Sequence, residues 1–518
     1  MKLNYKRTLC VGFAFFLICV FWQAYDNTMP LILTNKFGLK QTWSGFIMAI
    51  DNILALFMLP LFGAISDRSK NLKGKRTPFI ITGTIIAVIA FVSLSFVDNI
   101  QLKKVSAVSA IDDPAALAEL YENEADEELM TPSGDKFVLS EVFSETEFTE
   151  ITSQITNEDG KLVTNPRYSN YVVPARQAYI REVTTSSPST LIVFMVILLI
   201  ALVAMATFRS PAVALMPDVT IKPLRSKANA VINLMGSAGG IIVLALGIVF
   251  ATSSVKNSMM SYTVYFIVIA AVMLLALLIF KLTVKEPVFV EEMHAQSRRF
   301  GIEEEEDDDK SGSRKLTKEE KRSLIFILAS IVFWFMGYNA VTSKYSVYAS
   351  TILGKDYNTT LIIAQLAAII SYLPVGLIAS KVGRKKTILA GVIFLGVAFG
   401  AAGALRSDTP AIVMNILFAL AGIGWATINV NSFPMVVEMC SGGDVGKYTG
   451  IYYTASMSAQ IITPIFSGFL MDKMGMLILF PYAVVFVALA FVTMTQVRHG
   501  DSKPAPVKGV EAFEDIDN

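Results

Sequence analysis

Apolar runs long enough to cross a bilayer recur along this chain, separated by short polar turns. A hydrocarbon core of about 30 Å calls for about 20 mostly apolar residues in a helix. The stretches 191–206, 230–251 and 262–280 meet that test with almost no charge. The pattern predicts helices over 8–30, 42–66, 78–97, 189–217, 227–252, 262–283, 323–350, 359–380, 386–405, 410–438, 448–471 and 475–497. Backbone polar groups in lipid must be satisfied within the span, so the expectation is an all-α membrane protein of twelve transmembrane helices. Its chemistry then belongs to the few polar residues inside the spans.

Lysine and arginine in the short loops set the expected orientation. Lys2, Lys6, Arg7; Arg68, Lys70, Lys73, Lys75, Arg76; Lys222, Arg225, Lys227; and Lys381, Arg384, Lys385, Lys386 gather on one side. The other side carries only Lys36, Lys40, Lys256, Lys355, Arg406 and Lys473 in its short loops. Both termini and the central loop are therefore expected in the cytoplasm.

The chain also repeats itself. Gly63-Ala64-Ile65-Ser66-Asp67-Arg68 followed by Gly74-Lys75-Arg76 joins helices 2 and 3, and Gly376-Leu377-Ile378-Ala379-Ser380-Lys381 followed by Gly383-Arg384-Lys385-Lys386 joins helices 8 and 9. Pro217-Asp218 after helix 4 is echoed by Val437-Glu438 after helix 10, at a smaller offset. An insertion between helices 3 and 4 accounts for the difference, and a polar stretch of that size lies there. Two parallel six-helix pseudo-repeats follow, a trait of transporters. The expected division is 1–97 with 189–283 as the first bundle, 98–188 as an extracellular insertion, 284–322 as a cytoplasmic central loop, 323–497 as the second bundle and 498–518 as a cytoplasmic tail. The insertion is acidic, with Glu119, Glu122, Glu124, Asp126, Glu127 and Glu128 on an expected helix. The apolar patches Phe137-Val138-Leu139 and Tyr171-Val172-Val173 point to a small folded module. It reads either as a decoration without a role in transport or as a lid or partner-docking element. In the central loop, Glu303–Glu306 and Asp307–Asp309 read as a solvated tether.

Composition narrows the function. The chain has 518 residues, is 53% hydrophobic and only 17% charged, with mean hydropathy +0.55. A net charge of +1 offers no bulk attraction for nucleic acid. Cys10, Cys19 and Cys440 have no metal or redox spacing and read as small apolar fillers. His294 and His499 lie outside the spans. The first apolar run lacks a small-residue cleavage pattern, so no cleavable signal is expected. No cofactor or metal site is expected, and the chain reads as a monomer in the plasma membrane. No Gly-x-x-x-x-Gly-Lys-Ser/Thr motif occurs, which argues against ATP-driven transport by this chain. No span holds a metal pattern or a nucleophile with its base, which argues against an enzyme.

Candidate residues cluster in a few spans. Helix 1 ends Trp22-Gln23-Ala24-Tyr25-Asp26-Asn27, with Gln23, Asp26 and Asn27 on one face and Trp22 on an adjoining edge. A ring for the C–H face of a sugar, with amides and a carboxylate for its hydroxyls, is what a sugar site needs; the alternative is a helix end at the membrane interface, where aromatic rings form belts and polar groups meet water. Helix 2 carries Asp51 and Asn52, with Asp51 about 24 Å along the helix from Asp67. A carboxylate at that depth is suited to reversible protonation. Arg209 near the end of helix 4 lies about 14 Å from the turn at Asp218 and needs a partner, Asp51 or Asp26, directly or through water or substrate. The second half offers Trp334, Tyr338 and Asn339, with Lys344 and Tyr345 further out, then Trp425 and Asn429, and Tyr453, Ser456 and Gln460. Gly63, Asp67, Arg68, Lys75, Arg76, Asp218, Arg225, Arg384 and Glu438 form the loop motifs. They read as a conformational latch holding the cytoplasmic side shut.

The paired loop motifs resemble the major facilitator superfamily over the whole transmembrane region. "FWQAYDNTMPLIL", "AIDNILALFMLPLFGAISDRSKNLKGKRTPFI" and "FRSPAVALMPDVTIKPLRSKANAVINLMG" resemble the glycoside–pentoside–hexuronide:cation symporters, in particular the branch near plant sucrose transporters. That resemblance implies cation-coupled uptake of a sugar or glycoside by alternating access, with Asp26, Asp51 and Arg209 at functional positions. Ala55 and Leu59 stand where melibiose-type members carry sodium-site acids, which favours protons. Leu198 stands where the plant carriers have an acid. The expectation is proton-coupled symport of a disaccharide or glycoside. The alternatives are sodium coupling, an exporter of drugs or metabolites with the same fold, and a sugar sensor or docking protein.

Overall fold

The computed structural model describes residues 3–157, 160, 162–221, 224–300, 316–437, 439 and 445–500. Long helices dominate: α1 (Tyr5–Asn35), α2 (Gln41–Asp67), α3 (Thr77–Lys104), α4 (Ser189–Asp218), α5 (Arg225–Val249), α6 (Thr263–Thr283), α7 (Lys318–Tyr348), α8 (Tyr357–Val382), α9 (Arg384–Ala402), α10 (Ala411–Val437), α11 (Val445–Met474) and α12 (Leu479–Thr495). Ten helices among the described residues are long and apolar enough to cross a membrane by length and composition; α8 and α11 run 26 and 30 residues. Most overrun their expected limits, and at α7 and α8 side-chain capping groups carry the helix past its apolar stretch. Thr317 and Glu320 form a capping box that starts α7, and Asp356 accepts from the Asn358 and Thr359 amides at 3.2 and 3.0 Å to start α8.

The two halves pack alike. α1 lies against α5 and α6 as α7 lies against α11 and α12; α3 contacts α4 and α6 as α9 contacts α10 and α12; α2 sits on α4 as α8 sits on α10. Each half has its own apolar core, centred on Phe21, Phe91, Phe208 and Phe266 in the first and on Trp334, Tyr345, Phe399 and Phe480 in the second. Between the halves, α2 meets α11, α5 meets α8 and α1 meets α7.

At one end of the molecule, here called the insertion end, these meetings are tight. Gly45 of α2 lies so close to α11 that a Cβ there would be 1.9 Å from the Pro464 carbonyl oxygen. Asp472 at the end of α11 accepts from the Gln41 and Thr42 amides at 2.7 and 2.8 Å and from the Thr42 hydroxyl at 2.5 Å. The Lys344 ammonium, fully buried, donates to the Gln41 carbonyl at 2.8 Å. Ser253 donates to Asp356 at 2.8 Å, and Thr252 lies 2.8 Å from the Tyr357 hydroxyl. Toward the other end, which carries Tyr5 and Val497, α2 leaves this contact. Gln41, Ser44, Gly45, Ile47, Met48 and Ala49 are buried, whereas beyond Ala49 only Ala55 and Ser66 are buried in α2. Phe57 is 68% exposed.

The insertion is a folded module with a third core of Leu117, Leu120, Phe137, Leu139, Phe148, Tyr168 and Val172. It holds the helices Pro114–Glu124 and Val173–Ser186, and two antiparallel hairpins, β1 (Glu128–Met130) with β2 (Lys136–Val138) and β3 (Gln154–Thr156) with β4 (Leu162–Thr164). The acidic helix stops at Glu124, so Asp126 and Glu127 lie beyond it and Glu128 opens β1. Arg176 ties the module together by donating to the Val108 carbonyl at 2.8 Å and the Tyr168 hydroxyl at 2.7 Å. Beneath it, Lys36 and Asp98 form a fully buried ion pair at 2.6 Å, and Lys36 also donates to the Met260 carbonyl at 2.6 Å. The central loop contains a helix, Glu286–Arg299, that the hydropathy pattern does not foretell. The acidic block 303–309 and the segment 501–518 lie outside the described residues.

Candidate functional site

A cavity of about 210 Å³ opens where the halves diverge, lined by Trp22, Asp26, Met48, Asp51, Asn52, Arg209, Asn339, Thr342, Ser343, Gln460 and Pro464. Helical spacing explains the set. Trp22 and Asp26 are four apart on α1; Met48, Asp51 and Asn52 share a face of α2; Asn339, Thr342 and Ser343 share a face of α7; and Gln460 and Pro464 are one turn apart on α11. Five helices from both halves therefore present one polar wall each.

The charges meet here. Asp26 is exposed to the cavity although it lies deep in the bundle, and Asp51 accepts from the Asn52 amide at 2.8 Å. Both carboxylates act electrostatically with Arg209. The guanidinium carbon of Arg209 stands 5.6 Å from the centroid of the Trp22 ring, within cation–π range. Depths reckoned along each helix set Arg209 about 10 Å or more from either carboxylate at ~1.5 Å per residue. The structure brings all three to one chamber. Pro60 of α2 and Pro211 of α4 lie between these side chains and the Asp67 and Asp218 turns from which the depths are reckoned, and a proline inside a helix removes a backbone bond.

Two donors at this site are buried and unpartnered: Trp22 Nε1 from the first half and Asn339 Nδ2 from the second. A buried unpaired donor costs about 1–3 kcal/mol, so each favours an incoming acceptor oxygen.

Other expected residues fall elsewhere. Trp334 is fully buried in the second core, because its face of α7 points away from the face that carries Asn339. Asn27 is buried and donates to the Gln23 carbonyl at 2.9 Å. Gln23 itself lies at the junction of the halves, where a methyl on Gly240 would be 3.1 Å from both its Oε1 and the Nε2 of Gln365. Tyr338 and Trp425 stack on each other with centroids 3.7 Å apart and an interplanar angle of 6°. Their facing surfaces are thereby occupied. Asn429 is half-buried, and neither it nor Trp425 lines the cavity. Sequence reading missed Met48, Thr342, Ser343 and Pro464. A signal was present for Thr342 and Ser343, three and four residues after Asn339.

The expected latch is differently built. Arg76 binds the Asp218 carboxylate through Nε at 2.7 Å, and through its two Nη groups it binds Asp67 and the Ser66 hydroxyl. A methyl on Gly63 would lie 3.0 Å from the Ser210 hydroxyl, so α2 and α4 approach closely there. Arg225 donates to the Pro217 and Thr220 carbonyls at 3.1 and 3.2 Å. These bonds join α2, α3, α4 and α5 of one half to each other, not the first half to the second. Arg68 and Lys75 are exposed, Arg384 is buried at the start of α9, and Glu438 lies outside the described residues. Glu286 completes the cluster by accepting from the Lys75, Arg76 and Thr77 amides and the Thr77 hydroxyl at 2.7 to 3.1 Å.

The sequence model of the MFS_1 like family matches residues 29–482. The chain belongs to that family. Solved structures share the fold. An inward open form of the xylose transporter XylE from E. coli is 15% identical with a TM-score of 0.58 and covers 99% of each chain. A D-xylose-proton symporter is 15% identical, TM-score 0.57, over 96% of this chain and 99% of its own. The nucleoside transporter NupG is 14% identical, TM-score 0.51, over 96% of this chain and all of its own, 100%. The protein is thus a multi-pass membrane transporter of the major facilitator type rather than an enzyme.

Proposed function

We propose that this transporter carries a sugar, a disaccharide or glycoside, inward together with a proton, as a member of the glycoside–pentoside–hexuronide:cation branch. The observation that carries this reading is the composition of the cavity wall. One ring, two carboxylates, one guanidinium, three amides and two hydroxyls converge there from both halves. Neutral donors and acceptors in such number suit a polyhydroxylated solute, and Trp22 offers a face for its C–H surface. Asp51 and Asp26 are the proton carriers, and Arg209 holds substrate or steadies the carboxylates. Ala55 and Leu59 supply no oxygen for sodium.

With the termini in the cytoplasm, the structure is the inward-facing member of the cycle. The cavity then communicates with the cytoplasm while the insertion end is shut, and rocking of the halves reverses this. Two structures that share this fold are of a xylose transporter and of a D-xylose-proton symporter, consistent with this solute class. The test is uptake of a panel of labelled mono- and disaccharides into proteoliposomes under an imposed proton gradient, with and without sodium. Concentrative uptake of at least one sugar that collapses with a protonophore is expected. No accumulation of any sugar under either gradient would overturn the reading.

A further inference from the structure

The insertion belongs to the first half by sequence, and it is anchored there. Arg181 donates to the Gly38 carbonyl at 3.2 Å, Gln177 to Asn35 at 3.1 Å and Lys104 to the Ser187 carbonyl at 2.8 Å. Val255 and Met259, between α5 and α6, complete its core. Both of its hairpins, however, reach across to the second half.

The turn between β1 and β2 meets the α11–α12 turn. The Met476 amide donates to the Pro132 carbonyl at 2.7 Å. Gly134 and Gly475 both have positive φ, +102° and +82°. A Cβ on Gly134 would lie 2.6 Å from the Met474 carbonyl oxygen, and one on Gly475 would lie 2.5 Å from the Gly134 nitrogen. Backbone therefore touches backbone, with no side chain between to give way. The β3–β4 hairpin meets the α7–α8 turn, where the Thr164 hydroxyl lies 3.4 Å from the Gly354 carbonyl. A Cβ on Gly354 would come within 2.7 Å of the Thr164 side chain.

We propose that the insertion is a strap. It is carried by the first half and fastened to the second at two points, the β1–β2 turn on the α11–α12 turn and the end of β4, at Thr164, on the α7–α8 turn, and it favours the conformation closed at the insertion end. The halves cannot part at that end while both contacts stay seated. The strap thus sets the balance between the two facing states, whatever solute occupies the cavity. The inference rests on the alternating movement proposed above and is independent of the sugar.

Nitroxide labels at Lys40→Cys in the first half and Asp408→Cys in the second, with the native cysteines replaced by serine, report opening at the insertion end through their distance distribution. Gly134→Val, and separately Gly475→Val, which leaves the insertion's own sequence intact, should each raise the longer-distance population several-fold. The full-length chain carrying Pro132→Cys and Met476→Cys, once oxidised to the disulfide, should lose that population and regain it on reduction. Unchanged distances in both valine variants would overturn the strap, as would a cross-linked chain that still opens. These readouts need no transported solute. A shift in distance with no sugar uptake would therefore leave the strap and remove the sugar reading, and the reverse result would separate them the other way.

Discussion

A buried donor without a partner is a standing cost that the fold tolerates for a reason. Asn339 Nδ2 is such a donor beside the cavity. Asn339→Leu should leave the melting temperature of the substrate-free protein unchanged or slightly higher, while the KM for the transported solute rises about tenfold, the equivalent of ~1.4 kcal/mol. A KM unchanged within twofold would remove Asn339 from the binding wall. Asp51 tests coupling in the same way. Asp51→Asn keeps an amide able to hydrogen-bond but cannot carry a proton. Accumulation against a gradient should vanish while exchange of labelled for unlabelled solute persists; undiminished accumulation would move the coupling to Asp26. The Arg209–Trp22 pairing adds that Arg209→Lys is not conservative, because a point charge cannot stack as a planar guanidinium does.

Among elements, the start of α3 rests on one side chain. Glu286 is 2% exposed and its two oxygens accept from three successive amides, Lys75, Arg76 and Thr77. It thereby docks the helix Glu286–Arg299 onto the first half and places an anion where the α3 dipole favours one. Glu286→Ala should destabilise by about 1–3 kcal/mol, read as a lower midpoint in thermal unfolding, because those amides lose their acceptors. The insertion shows the opposite sign. Burial, then the neighbouring Glu182 and Glu127 carboxylates, push the Glu124 carboxyl up to about 7, with Arg181 acting weakly against them. A carboxyl whose folded pKa is raised favours folding while protonated, so the insertion loses stability as pH rises from about 4.5 to about 7. Glu124→Gln should slow proteolysis of the insertion at pH 8 and leave it unchanged at pH 5, with an effect on the order of 1 kcal/mol after solvent screening. Equal protection at both pH values would refute it.

At the scale of the whole molecule, closure of the insertion end depends on how near α2 approaches α11. Gly45 is the tightest point of that approach, and even one methyl there would meet the Pro464 carbonyl. Gly45→Ala should leave each half folded, since each has a core of its own, yet hold the halves apart at the insertion end. Transport should stop, and the Lys40–Asp408 label distance should lengthen. A variant that transports at the parental rate would show that the helices slide past the added methyl. Lys344 and Asp472 act at the same junction. On the alternating movement proposed above, opening would expose this buried ammonium and free the carboxylate that caps α2, so these polar contacts would pass to water and back at each turnover.

The number of spans, the duplication and the presence of a folded insertion were legible in the sequence because the bilayer imposes length and polarity locally, one segment at a time. Asp26, Asp51 and Arg209 stood out for the same reason, as charges in apolar runs that carry few others. Which face of each helix meets the cavity was not legible. Trp334 and Asn339 sit five residues apart on α7, and only the packing of α7 against α12 and α11 decides that one is core and the other wall. Arg76 could have paired across the halves or within one, and the local pattern of its loop is the same in both cases. The reach of the two hairpins onto Gly354 and Gly475 was equally invisible, since those contacts join residues far apart in the chain, 190 positions for Thr164 and Gly354. Hydropathy is written along one dimension. Helix rotation and the placement of one half on the other depend on contacts between distant segments, and these exist only once the chain has folded.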